Sequence, residues 1–179
     1  PQSWIPVKEI HPADAELIKK LRSKGISAVA AGSQSNYLSV SFAGTKKIEQ
    51  SDLEMLKTLS PHIIELNLAW TSITDTELNF ISSLKELRRL HLEHTPIADV
   101  GLENIRPCKE LIYLNLVGTH VSGQSEKLLW EMKELREVYV FDTEIAKSPG
   151  SKLNAAIKMD TGGYTLPVFT TDTLVFKRP

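Results

Sequence analysis

The apolar positions of this chain recur with a period much longer than that of a helix or a strand. Four threonines, Thr71, Thr95, Thr119 and Thr143, stand 24 residues apart, and one apolar template recurs around each. Ile63, Leu87, Leu111 and Leu135 form a column of equivalent positions, and Leu66, Leu90, Leu114 and Val138 form the next. Leu68, Leu92, Leu116 and Val140 form a third, while Ile73, Ile97, Val121 and Ile145 follow each threonine by two residues. The second half of the unit repeats too, with Ile81, Ile105 and Leu129 in one column and Leu84, Cys108 and Met132 in another. Self-similarity at a fixed period marks a stacked architecture, in which each unit buries its apolar face against the next.

Each unit reads L-x-x-L-x-L-x-x-T-x-I and then a short helical stretch. In Leu66-Asn67-Leu68 the apolar residues alternate, so both leucines point to one side of a short strand. The threonine follows where the chain turns inward. Its hydroxyl is expected to satisfy backbone groups there, with stacked copies forming a ladder. Thr74-Asp75-Thr76-Glu77 reads as a capping box that opens a helix with Leu78, Ile81 and Leu84 turned inward.

The ends depart from the template. Val40, Phe42 and Thr45, then Ile48, Leu53, Leu56 and Leu59, match it upstream, but Thr45 precedes Thr71 by 26 residues, which predicts two extra residues in the loops. Before that unit, residues 14–24 predict an amphipathic helix with Leu17, Ile18 and Leu21 inward, stopped by Gly25. Residues 26–31 then predict a strand and 32–36 a turn, so this region is expected to cap the first open edge of the stack. After Ile145, Ser148-Pro149-Gly150 interrupts the helical stretch. Leu153, Ala156 and Met159 nonetheless fall 24 residues after Leu129, Met132 and Leu135. The glycines of Asp160-Thr161-Gly162-Gly163-Tyr164 disfavour a regular strand at the next position, and Leu174, Val175 and Phe176 are the candidate final strand. The chain is therefore expected to be one domain: an N-terminal cap over 1–37, about four units over 38–145, and a degenerate unit with a cap over 146–179.

This template resembles the leucine-rich repeat family, in the variant that places threonine where many members carry asparagine or cysteine. The resemblance implies an α/β fold: a right-handed β-α solenoid with a parallel sheet on its concave side, short helices on its convex side and capped ends. The order of helix cap, Asn36-Tyr37-Leu38, T-x-I-T-D repeat and the D-T-G-G-Y-T-L-P stretch at 160–167 is similar to bacterial leucine-rich repeat domains. Some of those are appended to membrane-anchored c-type cytochromes. That similarity implies an extracytoplasmic, periplasmic domain tethered through a longer parent chain, with any haem held elsewhere in it.

Composition narrows the function classes. Lys and Arg number 21 against 22 Asp and Glu, so no net field draws phosphates and a nucleic-acid partner is not expected. The single cysteine excludes an internal disulfide and a haem attachment motif. No apolar run approaches the roughly 20 residues of a membrane span, which predicts no direct membrane insertion. The chain starts at Pro1 without an initiator methionine, which predicts a fragment of a longer protein.

Candidate chemistry lies on the strand positions that face away from the leucines. One such column holds Glu65, Arg89, Tyr113 and Glu137, and the next holds Asn67, His91, Asn115 and Tyr139. Ala69, Glu93, Val117 and Phe141 follow, and then Trp70, His94, Gly118 and Asp142. Trp, Tyr and Arg dominate binding hot spots because they give large contact area with a polar handle. The candidate partner-binding residues are Glu65, Asn67, Trp70, Arg89, His91, Glu93, His94, Tyr113, Asn115, Tyr139 and Phe141. The plainer expectations stand beside these: Tyr139 and Phe141 packing under the C-terminal cap, Asn67 and Asn115 forming a hydrogen-bond ladder, Trp130 on the convex side packing against the cap, and Cys108 buried. His91, Glu93 and His94 form the one cluster with metal-ligand chemistry, but no spacing signature supports it, and neither metal nor other cofactor is expected. No G-x-S-x-G elbow, P-loop, G-x-G-x-x-G or H-E-x-x-H motif occurs, so nothing points to an enzyme. The expected function is non-catalytic binding of another protein, or of a neighbouring domain of the same chain, on the concave face. The alternatives are a spacer domain of a larger membrane-bound cytochrome-like protein and, behind it, a metal- or glycan-binding domain.

Overall fold

The alternation around each second leucine does produce a strand, and the strands pair in chain order. The computed structural model describes residues 4–45, 47–147 and 157–162. Among the described residues seven strands form one sheet: β1 (Ser27–Ala30), β2 (Leu38–Ser41), β3 (Ile63–Asn67), β4 (Arg89–His91), β5 (Tyr113–Asn115), β6 (Glu137–Tyr139) and β7 (Lys158–Asp160). From β2 to β7 all neighbours are parallel, and β1 runs antiparallel to β2 at the edge. The register carries the sequence period into space: Glu65 lies beside Arg89, Arg89 beside Tyr113, and Tyr113 beside Glu137. The architecture is α/β with a mostly parallel sheet.

The leucine columns make the core. Leu66, Leu90, Leu114 and Val138 are fully buried, as are Leu68, Leu92, Leu116 and Val140. Helical segments return the chain between strands on that side: α2 (Gln50–Thr58), the 3₁₀ segment Glu77–Ser83, α3 (Asp99–Leu102), α4 (Glu126–Glu131) and α5 (Glu144–Lys147). The capping box forms, with Thr74 N donating to Glu77 Oε2 at 2.8 Å and Glu77 N to Thr74 Oγ1 at 3.4 Å. The helix it was expected to open is instead a 3₁₀ segment, whose steeper rise per residue spans the return with fewer residues. Among the units whose return segment is fully described, the first alone carries a regular nine-residue helix. Its two additional residues flank that helix, one between Thr45 and Ile48 and one between Leu59 and Ile63.

The threonine hydroxyls behave differently from expectation. Thr71, Thr95, Thr119 and Thr143 donate to the carbonyls of Leu68, Leu92, Leu116 and Val140 at 2.7, 2.6, 2.6 and 2.5 Å. Each closes its own turn, and no ladder joins them, because neighbouring strands lie too far apart (about 4.8 Å) for hydroxyl to reach hydroxyl. Aspartates one turn later make the bonds between units. Asp75 Oδ1 accepts from Ala98 N, and Asp99 Oδ1 from Ser122 N, both at 2.9 Å. A Cβ on Gly101 would stand 2.1 Å from Asp75 Oδ1, so this contact is built around a glycine.

The helix and the strand expected near the N-terminus both form, with Leu17 and Ile18 only partly buried. Asp14 caps α1 (Ala15–Ser23) by accepting from Glu16 N and Leu17 N, Leu21 is buried, and Gly25 stops the helix at φ +82°. At the other end β7 corrects the alignment of Met159. It pairs with Val138 rather than following Leu135 in its column, so a strand forms from the residues before the glycines. The expectations for Ser148-Pro149-Gly150, Leu153, Ala156 and 163–179 lie outside the described residues. Among those described, no helix is long and apolar enough to cross a membrane.

Candidate functional site on the open face of the sheet

The side of the sheet opposite the leucines carries a connected row of rings and charges. Glu65, on β3, is its centre: Ser39 Oγ donates to its Oε2 at 2.7 Å and Arg89 Nε to its Oε1 at 3.1 Å. His91 lies between two carboxylates, with Nε2 3.6 Å from Glu65 Oε1 and Nδ1 3.7 Å from Glu93 Oε1. The Arg89 guanidinium sits 4.1 Å from the Tyr113 ring centroid and 5.6 Å from that of Trp4. The His91 and Tyr113 rings are 4.9 Å apart, and Tyr113 and Tyr139 are 5.3 Å apart, both tilted. Parallel pairing in register puts Glu65 on β3, Arg89 and His91 on β4, Tyr113 on β5 and Tyr139 on β6.

The charges follow from that packing. Burial works against a charged His91, but the Glu65 and Glu93 carboxylates prevail and hold its pKa up at about 8. The His91 ring in turn holds Glu65 down at about 2, against burial and with help from Ser39 and Arg89. Burial raises the Tyr113 hydroxyl. Glu93 Oε2 is buried with no hydrogen-bond partner.

A second contact lies in the turns. Trp70, His94, Gly118 and Asp142 occupy equivalent positions, and all four have left-handed backbone, at φ 61°, 54°, 64° and 55°. Trp70 is 72% exposed and stacks on His94, with ring centroids 3.8 Å apart. A Cβ on Gly118 would stand 2.5 Å from His94 Nδ1, so the imidazole lies over that glycine. His94 is thereby turned to Trp70, whereas His91 and Glu93 meet as the strand alternation implied. Among the described residues no group of three or more His, Cys, Asp or Glu is placed to hold a metal ion.

The remaining candidates separate. Asn67 and Asn115 form no ladder: their Oδ1 atoms accept from Ala69 N at 2.9 Å and Val117 N at 3.1 Å, and His91 stands between them. Phe141 is 53% exposed, with its ring against the Gly162 backbone, and Tyr139, Phe141, Asp160 and Gly162 line a cavity of about 480 Å³. Trp130 packs half-buried against the core with its Nε1 unpartnered. Cys108 is buried near the Ile81 carbonyl, and burial pushes its thiol up to about 12, too high for a reactive thiolate.

Sequence reasoning put Glu65, Arg89, His91, Glu93, Tyr113, Tyr139, Trp70 and His94 in one exposed patch, which the structure divides into a row of the first six and a separate contact of Trp70 with His94. It missed Ser39 and Trp4, and the left-handed turn. The last had a signal, since Gly, His and Asp share that column and are the types enriched at positive φ. No protein-family model matches this chain, and no curated protein matches it.

Proposed function

We propose that the chain is a short leucine-rich repeat solenoid that binds a protein segment on the open face of its sheet, without catalysing a reaction. The segment belongs to a separate protein or to a neighbouring domain of the same chain. The observation that carries this reading is the row Arg89, His91, Tyr113 and Tyr139, in which rings and charges from successive strands hold one another in place. Side chains fixed before a partner arrives lose little freedom on binding, and a surface rich in Tyr, Trp and Arg supplies the contact area. The 24-residue template and its sheet register in chain order support the solenoid.

The test is peptide display against the folded full chain, with a Trp70→Ala/Tyr139→Ala variant of matching melting temperature as the control target. Peptides that enrich on the native chain and lose at least tenfold in affinity on the variant support the reading. Enrichment indifferent to both substitutions, or no enrichment, overturns it.

A further inference from the structure

The row on the open face does not end with the sheet. Residues 4–13 form neither helix nor strand, and they run as an arm beside the ends of β2 and β3. Asn36 Nδ2 donates to the Ile10 carbonyl at 2.7 Å, and His62 Nε2 lies 3.0 Å from that of His11. Ile5 rests on Gly32, where a Cβ would stand 2.9 Å from its Cδ1. Between these anchors the arm stands off the body: Val7 is 98% exposed, and residues 5–10 and 34–37 line a cavity of about 430 Å³.

Trp4 then brings its ring to 5.6 Å from the Arg89 guanidinium carbon. Arg89 is shared by two rings of unequal standing. Tyr113, at 4.1 Å, belongs to a strand and touches His91 and Tyr139 as well. Trp4 belongs to the arm, and its distance lies near the outer reach of cation–π attraction, about 6 Å. Glu65 holds Arg89 Nε at 3.1 Å through a bond between neighbouring strands, a tether to which Trp4 does not contribute.

We propose that Arg89 forms a subsite of the open face for an aromatic side chain of an extended peptide, and that Trp4 fills this subsite in cis as a displaceable occupant. The proposal rests on the reading of the open face as a binding surface and names the chemistry of its partner. A partner presenting Trp, Tyr or Phe to Arg89 competes with the arm, so its apparent affinity is reduced by the fraction of time the arm is closed. For so distant a contact that reduction is roughly three- to sixfold.

The probe is N-acetyl-L-tryptophanamide, titrated into the full chain with ¹⁵N labelling while the Arg89 Nε–H resonance is followed. The Trp4→Ala chain is expected to show a saturable shift at millimolar probe, and the native chain the same shift at roughly three- to sixfold higher concentration. Equal responses from the two chains, or none from Trp4→Ala, overturn the proposal. A second measurement uses 5-fluorotryptophan: Arg89→Leu should move the Trp4 fluorine signal and leave those of Trp70 and Trp130, which report an intact fold. An unmoved Trp4 signal beside unmoved controls also overturns it, and moved controls call for the same comparison in Arg89→Gln, which removes the charge and keeps a polar side chain, and whose outcome then decides. The two readings fail separately. An Arg89 response without face-dependent display peptides keeps the subsite and removes the protein-binding function; selected peptides with a silent Arg89 do the reverse.

Discussion

On β5, Leu114 points into the core with no exposure, while its neighbours Tyr113 and Asn115 face outward half-buried. The two sides of that strand are conserved within the molecule to different degrees. Across four strands the inward row reads Leu66, Leu90, Leu114, Val138, and the outward row Glu65, Arg89, Tyr113, Glu137. A close-packed interior leaves each unit the same space, so the same side chain recurs. Outside, nothing forces repetition, yet the neighbours complement each other: Glu65 holds Arg89, and Arg89 covers Tyr113. Uniformity thus reports packing, and complementary variety reports a surface with specified contacts.

The sharpest way to break this comparison is to truncate the inward row. Leu114→Ala should cost about 3–5 kcal/mol in urea denaturation, the range for a fully buried leucine in a core that cannot collapse. A loss below about 1 kcal/mol would show that the row is not a packed interior.

The outward row should respond to pH instead. His91 is held at about 8, above the 6.5 of an ordinary imidazole, so its contribution is complete below about pH 6.5 and disappears as pH rises through about 8. Such a shift corresponds to at most about 2 kcal/mol. The urea midpoint of the native chain should fall between pH 6.5 and 9 by an increment that His91→Gln lacks. Matching pH profiles for the two chains would place His91 outside the grip of Glu65 and Glu93. Glu65 has the opposite sign: held at about 2 below the usual 4.5, it stabilises above pH 4.5, and that is lost as pH falls towards 2. The smallest effect is expected at the exposed ring, where Trp70→Ala should change stability by less than about 0.5 kcal/mol. A loss above 1.5 kcal/mol in the same denaturation assay would make its stack on His94 a structural contact.

Periodic burial is what the sequence expresses most directly, and the columns from Ile63 to Ile145 therefore gave the strands, the core and the residues of the open face. Where hydrogen bonds go is less visible, because one hydroxyl satisfies several geometries. Thr71 matches a ladder as well as a self-closed turn until the strand spacing decides. The bonds from Asp75 and Asp99 to the following unit were hidden for the same reason, as local capping explains an aspartate there equally well. Met159 was misaligned because a 24-residue count ignores that the last unit is shorter: it pairs with Val138, 21 residues back. Trp4 had no periodic partner at all, and only the folded chain brings it to Arg89.

The left-handed residue before each threonine has a consequence for redesign. It makes the bend that the threonine hydroxyl then locks, and an L-residue holding that conformation gives up about 1 kcal/mol that glycine keeps. Gly118 keeps it; Trp70, His94 and Asp142 do not. A programme that selected only for a higher melting temperature would drift towards glycine at 70, 94 and 142. The result would be a sturdier chain with a blank rim, which is why thermal stability is the wrong quantity to optimise when the surface of this protein is to be kept.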